Sequence, residues 1–185
     1  MKKLFLGLLM LFSFQTFSQN NFRAMNWDDS ISDLKSQYPD IQWIIEAVDE
    51  LKMYITDDYV GGLKVYVSYM FVDGKLKGGA YNFMEEHSSD NLYHEDFLSI
   101  SDILNKKYEM EREEKWNKTT WKNNPDYIGH ALRMGDVEIT ETYGDEDTLI
   151  THAISSNSSG DITHMLFYAD IDYMKAKRNS VVDDF

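Results

Sequence analysis

The dipeptide Asp73-Gly74 joins two stretches, Leu63 to Val72 and Lys75 to Phe83, and the first of these is dense in β-branched and aromatic residues. A two-residue turn needs positive φ at both positions, which Asp and Gly tolerate, so this is the strongest short-range hairpin signal in the chain. It predicts an antiparallel pair in which Val72 faces Lys75 and Tyr66 faces Tyr81. Gly78 and Gly79 then leave a bare patch on the sheet where a helix can pack closely.

Further extended stretches run from Trp43 to Val48 and Lys52 to Tyr59, and a second group covers Val137 to Tyr143, Leu149 to Ser155 and Ile162 to Ala169. The turns of that second group are Gly144-Asp145-Glu146-Asp147 and Asn157-Ser158-Ser159-Gly160. Ahead of the first group, Ser30 with Asp33 has the form of a capping box. Ile31, Leu34 and Tyr38 share a helical face, and Pro39 cannot continue the helix. Ahead of the second, the spacing of Phe97, Ile100, Leu104 and Tyr108 predicts a helix from about 95 to 108, with Lys106 and Lys107 suiting its C-terminal dipole. Residues 109–126 fit a strand and a long loop equally, and 171–185 read as a tail with a short helix followed by disorder.

Helix then strands, twice over, predicts an α+β fold: an antiparallel β-sheet with two helices packed on one face. Ser30-Ile31-Ser32-Asp33-Leu34 recurs as Ser99-Ile100-Ser101-Asp102-Ile103, which suggests a tandem duplication with halves 22–86 and 90–170. The whole span 19–170 is expected to form one domain.

The first eighteen residues read as a cleavable signal peptide: a basic start, an apolar run from Leu4 to Phe14, and small residues before Gln19. That run is too short to span a bilayer, which takes roughly 20 residues, and no second one follows, so no membrane span is expected. The chain has no cysteine, which excludes disulfides, thiol catalysis and a lipid-bearing cysteine. The signal resembles those of exported Bacteroidetes proteins and implies a periplasmic or secreted location. The net charge is −14. Phosphate backbones are repelled by such a chain, so nucleic acid is not expected as a partner, and a charged partner is expected to be basic.

The opening Phe22-Arg23-Ala24-Met25-Asn26-Trp27-Asp28-Asp29-Ser30-Ile31-Ser32-Asp33-Leu34-Lys35 resembles small exported bacterial domains that begin F-R-x-x-x-W-G-x-S-x-x-[DE]-[VL]-K. It is similar to the repeat unit of β-lactamase-inhibitor-protein-like domains and of small outer-membrane-assembly lipoproteins. The resemblance implies a helix-plus-antiparallel-sheet fold that acts by binding other proteins. Asp28 stands where those openings carry glycine, and the lipid-bearing cysteine of the lipoprotein branch is missing.

No catalytic signature survives inspection. Ser32-Asp33-Leu34-Lys35 fits S-x-x-K and Ser89-Asp90-Asn91 fits S-D-N, but Lys77-Gly78-Gly79 is not K-T-G and lies in the wrong order. None of the five histidines, His87, His94, His130, His152 and His164, has a metal-ligand spacing. His152 and His164 lie on adjacent strands, and a turn one residue longer or shorter decides whether they share a face; they read as a metal pair or as ordinary strand residues half exposed on the polar face. The acidic turn Asp145-Glu146-Asp147 offers oxygens of the kind calcium takes, without the spaced D-x-D-x-D-G pattern, and no other cofactor is indicated. The expected interaction surface comprises Tyr66, Tyr81, Trp116, Trp121, Asp145, Glu146 and Asp147, because Tyr and Trp anchor interfaces and the carboxylates suit a basic partner. Two functions remain. One is a non-enzymatic binding module for a protein partner, in its sharpest version an inhibitor or immunity protein. The other is a small-ligand or carbohydrate-binding domain or hydrolase, which would need a concave pocket of converging carboxylates and aromatics.

Overall fold

The computed structural model describes residues 20–183, with side chains to 179, so the expected signal peptide lies outside it. After α1 (Ile31–Gln37) come β1 (Ile44–Val48), β2 (Leu51–Val60), β3 (Leu63–Val72) and β4 (Lys75–Phe83). Then follow α2 (Asp90–Leu104), β5 (Glu111–Trp116), a 3-10 turn over Pro125–Tyr127, α3 (Ile128–Arg133), β6 (Val137–Gly144), β7 (Thr148–Ser156), β8 (Ile162–Asp170) and α4 (Ile171–Asp183). All eight strands form one antiparallel sheet in the order β1-β2-β3-β4-β8-β7-β6-β5, so the protein is mixed α+β, with four helices among the described residues. Each group of four strands is a meander, and the two meet through their last strands, β4 and β8.

Local chemistry explains the first helix. Ser30 accepts from the Asp33 amide while Asp33 accepts from the Ser30 amide, a complete capping box. Leu34 is fully buried, in the same core cluster as Val65, Val67, Tyr69 and Phe71 of β3. Asp28, at the usual glycine position, has φ +69°, so this turn needs the left-handed backbone that glycine adopts freely and Asp tolerates.

The Asp73-Gly74 hairpin forms with Val72 opposite Lys75, but Tyr66 faces Asn82 rather than Tyr81. Phe71 pairs with Leu76 and Met70 with Gly78, so Lys77 is an extra, bulged residue that shifts the register by one. The bulge aims Lys77 Nζ at Asp28, 2.7 Å away, and at buried Asp170, 2.8 Å away, tying the N-terminal segment to the end of β8. No helix occupies the space over Gly79. The ring of Phe22 does, and a methyl group at residue 79 would overlap it.

The second half departs further from expectation. Helix α2 begins at Asp90 and ends at Leu104, leaving Lys106 and Lys107 beyond its end. Residues 109–126 hold both a strand and a loop, and α3 lies within a stretch where no helix is predicted. The two echoing pentapeptides sit at opposite ends of their helices, Ser30 capping α1 and Ser99 within the last turns of α2, so they are not equivalent positions. Helix α4 is thirteen residues long. The disorder expected after it falls largely outside the described residues.

Candidate functional site

Strand register sorts the side chains into two faces. On one, the rung Val67–Tyr81–Leu166–His152–Glu141–Arg112 crosses from β3 to β5, and it is buried as far as Glu141. On the other, the rung Ile55–Ser68–Ala80–Phe167–Thr151–Thr142 crosses six strands without a charge and ends beside Glu111. A parallel rung, Tyr66–Asn82–Met165–Ala153–Thr140, is likewise uncharged and runs between Asp57 and Glu113. Tyr66 is 40% exposed and Met165 38%, and Ile55, Met70, Phe167 and Thr151 are half-buried. In a chain where 27% of residues are charged, an uncharged patch of this extent with part-exposed Met, Phe and Tyr departs from ordinary sheet surface.

The expected interaction residues therefore divide. Tyr66 lies on this uncharged face. Tyr81 does not: it is 9% exposed, points the other way, and packs its ring at 5.2 Å from Phe22 and 6.0 Å from Tyr168, with burial raising its hydroxyl pKa to about 12. Its removal from the surface follows from the Lys77 bulge and the pleat. In the acidic turn, Asp145 Oδ1 accepts from the amides of Asp147 and Thr148, so that carboxylate holds the turn itself. No group of three His, Cys, Asp or Glu suited to a metal occurs among the described residues.

Trp116 and Trp121 come together. With His94, Arg112, Glu114 and Lys122 they line a cleft of about 190 Å³ between β5 and the loop that leads into α3. Trp116 Nε1 donates to Glu114 Oε2 at 3.2 Å, and Trp121 stacks on Tyr127 with ring centres 4.8 Å apart. Both tryptophans pack against the buried cluster that includes Phe97, Leu132 and Ile139. Sequence reasoning missed Arg112 and His94 as their neighbours. Period-2 alternation carried the signal for the first, since Arg112, Glu114 and Trp116 share a face once 111–116 is a strand.

Beneath Arg112 lies a buried polar network. Glu141 Oε2 accepts from Ser101 Oγ at 2.6 Å and Tyr143 Oη at 2.7 Å, and lies 3.2 Å from His152 Nδ1. Glu141 Oε1 accepts from Arg112 at 3.1 Å. His152 Nε2 and His164 Nε2 are 2.7 Å apart, so one donates and the other accepts. Phe97 lies flat on His152 at 4.0 Å, and Phe83 on His164 at 3.9 Å. Burial opposes ionisation of Glu141, but the bonds from His152, Ser101 and Tyr143 outweigh it and hold the carboxyl down to about 2. Burial lowers both histidines, His164 to about 2 with help from His152. With both rings neutral, His152 Nδ1–H donates to Glu141 and His164 Nε2–H donates to His152, which satisfies every nitrogen of the pair except His164 Nδ1 within this chain of bonds.

The two histidines thus share the buried face, and neither stands half exposed on a polar one. Glu141, His152 and His164 all have shifted pKa values, and they are at most 6% exposed. A substrate does not reach them, so their perturbation belongs to the folded core. No protein-family model matches the chain, and neither a curated protein nor a solved structure matches it significantly.

Proposed function

We propose that this is an exported, non-enzymatic binding module that holds a basic protein partner on its uncharged sheet face. In this reading the chain is a tandem pair of helix-plus-meander units, 22–86 and 90–170, whose helices α1 and α2 cover one face and leave the other to the partner. The observation that carries it is the pair of rungs from Ile55 to Thr142 and from Tyr66 to Thr140, free of charge and bordered by Asp57, Glu111 and Glu113. An apolar and neutral centre with a charged rim is the anatomy of a protein interface, and an acidic rim on a −14 chain speeds encounter with a basic partner.

The hydrolase reading loses support from the sealing of Glu141, His152 and His164. The test is capture from envelope extracts of the organism that makes the protein, using residues 19–185 as bait at low and high salt. One basic partner, retained at low salt and weakened at high salt, is the expected result. Retention of nothing, or of an acidic partner indifferent to salt, contradicts the proposal.

A further inference from the structure

A second feature is independent of the sheet face. One buried side-chain polar atom among the described residues has no hydrogen-bond partner, Nε2 of His94, and His94 is one of the residues that line the cleft between Trp116 and Trp121. A buried polar atom without a partner costs about 1–3 kcal/mol, so natural structures rarely keep one without a reason. Two cationic side chains reach the same space. Arg112 donates to Glu141 and Glu114, and Lys122 has no ion pair among the described residues. Glu114 is the only acid lining the cleft, so the lining carries net positive charge on a protein of net charge −14. The two indoles supply flat apolar walls, held in place by packing on the buried cluster of Leu132 and Ile139 and by the Trp121–Tyr127 stack.

We propose that this cleft binds a small molecule consisting of one ring that bears a carboxylate. The ring lies against the indoles of Trp116 and Trp121, and the carboxylate takes a hydrogen bond from His94 Nε2 and the charge of Arg112 and Lys122. Burial and the neighbouring Arg112 guanidinium both keep His94 neutral, which leaves Nε2 free to carry the single proton it donates. The volume of about 190 Å³ is below the roughly 300 Å³ at which drug-sized sites begin, and so fits one ring rather than several. Both an acidic sugar and an aromatic acid present this chemistry, one through C–H groups and one through a π face.

The experiment is ligand-detected saturation-transfer NMR on the full folded chain with galacturonate and benzoate, each beside its neutral counterpart, galactose and benzamide. At least one acid is expected to bind in the millimolar range or better, with its neutral counterpart about tenfold weaker. Which acid binds identifies the source. Lys122→Glu, on an exposed side chain that leaves the fold undisturbed, is expected to weaken the acid about tenfold, and His94→Phe to weaken it similarly while keeping the ring contact with Phe97. Absence of binding by both acids at about 10 mM overturns the proposal. So does equal binding of acid and neutral counterpart, or binding that Lys122→Glu leaves unchanged. Capture of a protein partner by Lys122→Glu at native strength is expected whichever way this test falls, which separates the cleft from the sheet face.

Discussion

The same strands present two unlike surfaces. On one, β3 shows Val65, Val67, Tyr69 and Phe71, all buried, and β6 shows Val137, Ile139, Glu141 and Tyr143, also buried. On the other, β3 shows Tyr66, Ser68 and Met70 and β6 shows Thr140 and Thr142, none of them charged. The buried face includes an ionised carboxylate and two histidines, every one hydrogen-bonded, whereas the uncharged rungs of the other face include no ionisable group except the Tyr66 hydroxyl. The difference teaches that polarity is not the marker of exposure here. Charge is placed inside where it can be fully paired, and is kept off the face that a partner would have to desolvate.

That contrast makes the buried network the place where substitution costs most. Glu141→Ala strands the buried Ser101, Tyr143 and His152 donors and removes one of the two carboxylates that hold Arg112, and is expected to cost about 3–5 kcal/mol, read as a lower urea midpoint. Phe22→Ala should come next at about 3 kcal/mol, because the ring fills the gap over Gly79 and touches Tyr69, Tyr81 and Tyr168. A loss below 1 kcal/mol in either variant would break the distinction between the faces.

Acid lability sharpens it. His164 in the folded chain titrates near 2, far below its ordinary 6.5, so the unfolded chain takes up the proton first. Stability therefore falls as pH drops below about 6.5 and continues to fall toward 2, by roughly 2 kcal/mol between pH 6.5 and 5.0 from this residue alone. Glu141, held ionised down to about 2 against an ordinary 4.5, adds a second loss that begins below 4.5. Urea midpoints measured from pH 7.5 to 4 should trace this decline, and His164→Phe should flatten its upper part. A flat profile across that range would contradict a neutral, buried pair. On the uncharged face, by contrast, Tyr66→Arg and Met165→Arg should each change stability by no more than about 0.5 kcal/mol.

Local features of this architecture were legible in the sequence, and contacts between distant segments were not. The Ser30–Asp33 capping box and the Asp73-Gly74 turn are written within a few residues, and both form. The Lys77 bulge is not so written, because what holds it is Asp28 on one side and Asp170 on the other. Missing it put Tyr81 opposite Tyr66 and on the wrong face. Helix α3 is six residues long and includes Gly129, which helix propensity disfavours, yet glycine is required there: a methyl would collide with the backbone of Asp90 and Asn91 where α3 crosses the start of α2. Without α3 the chain from Trp116 to Trp121 has no reason to fold back, so the two tryptophans could be named but not brought into one cleft with His94 and Arg112. Likewise His152 and His164 share the buried face only because of the length of the turn between β7 and β8, which periodicity within either strand does not fix.

The most direct test of the account is the affinity of the captured partner for the native chain and for the double variant Tyr66→Arg/Met165→Arg, measured by calorimetry at low salt. The account predicts that the double variant remains folded and binds at least about 100-fold more weakly, because two cations then sit in the centre of a face that must meet a basic surface. Equal affinity in the two proteins would show that the partner docks elsewhere and that the uncharged face is not its site.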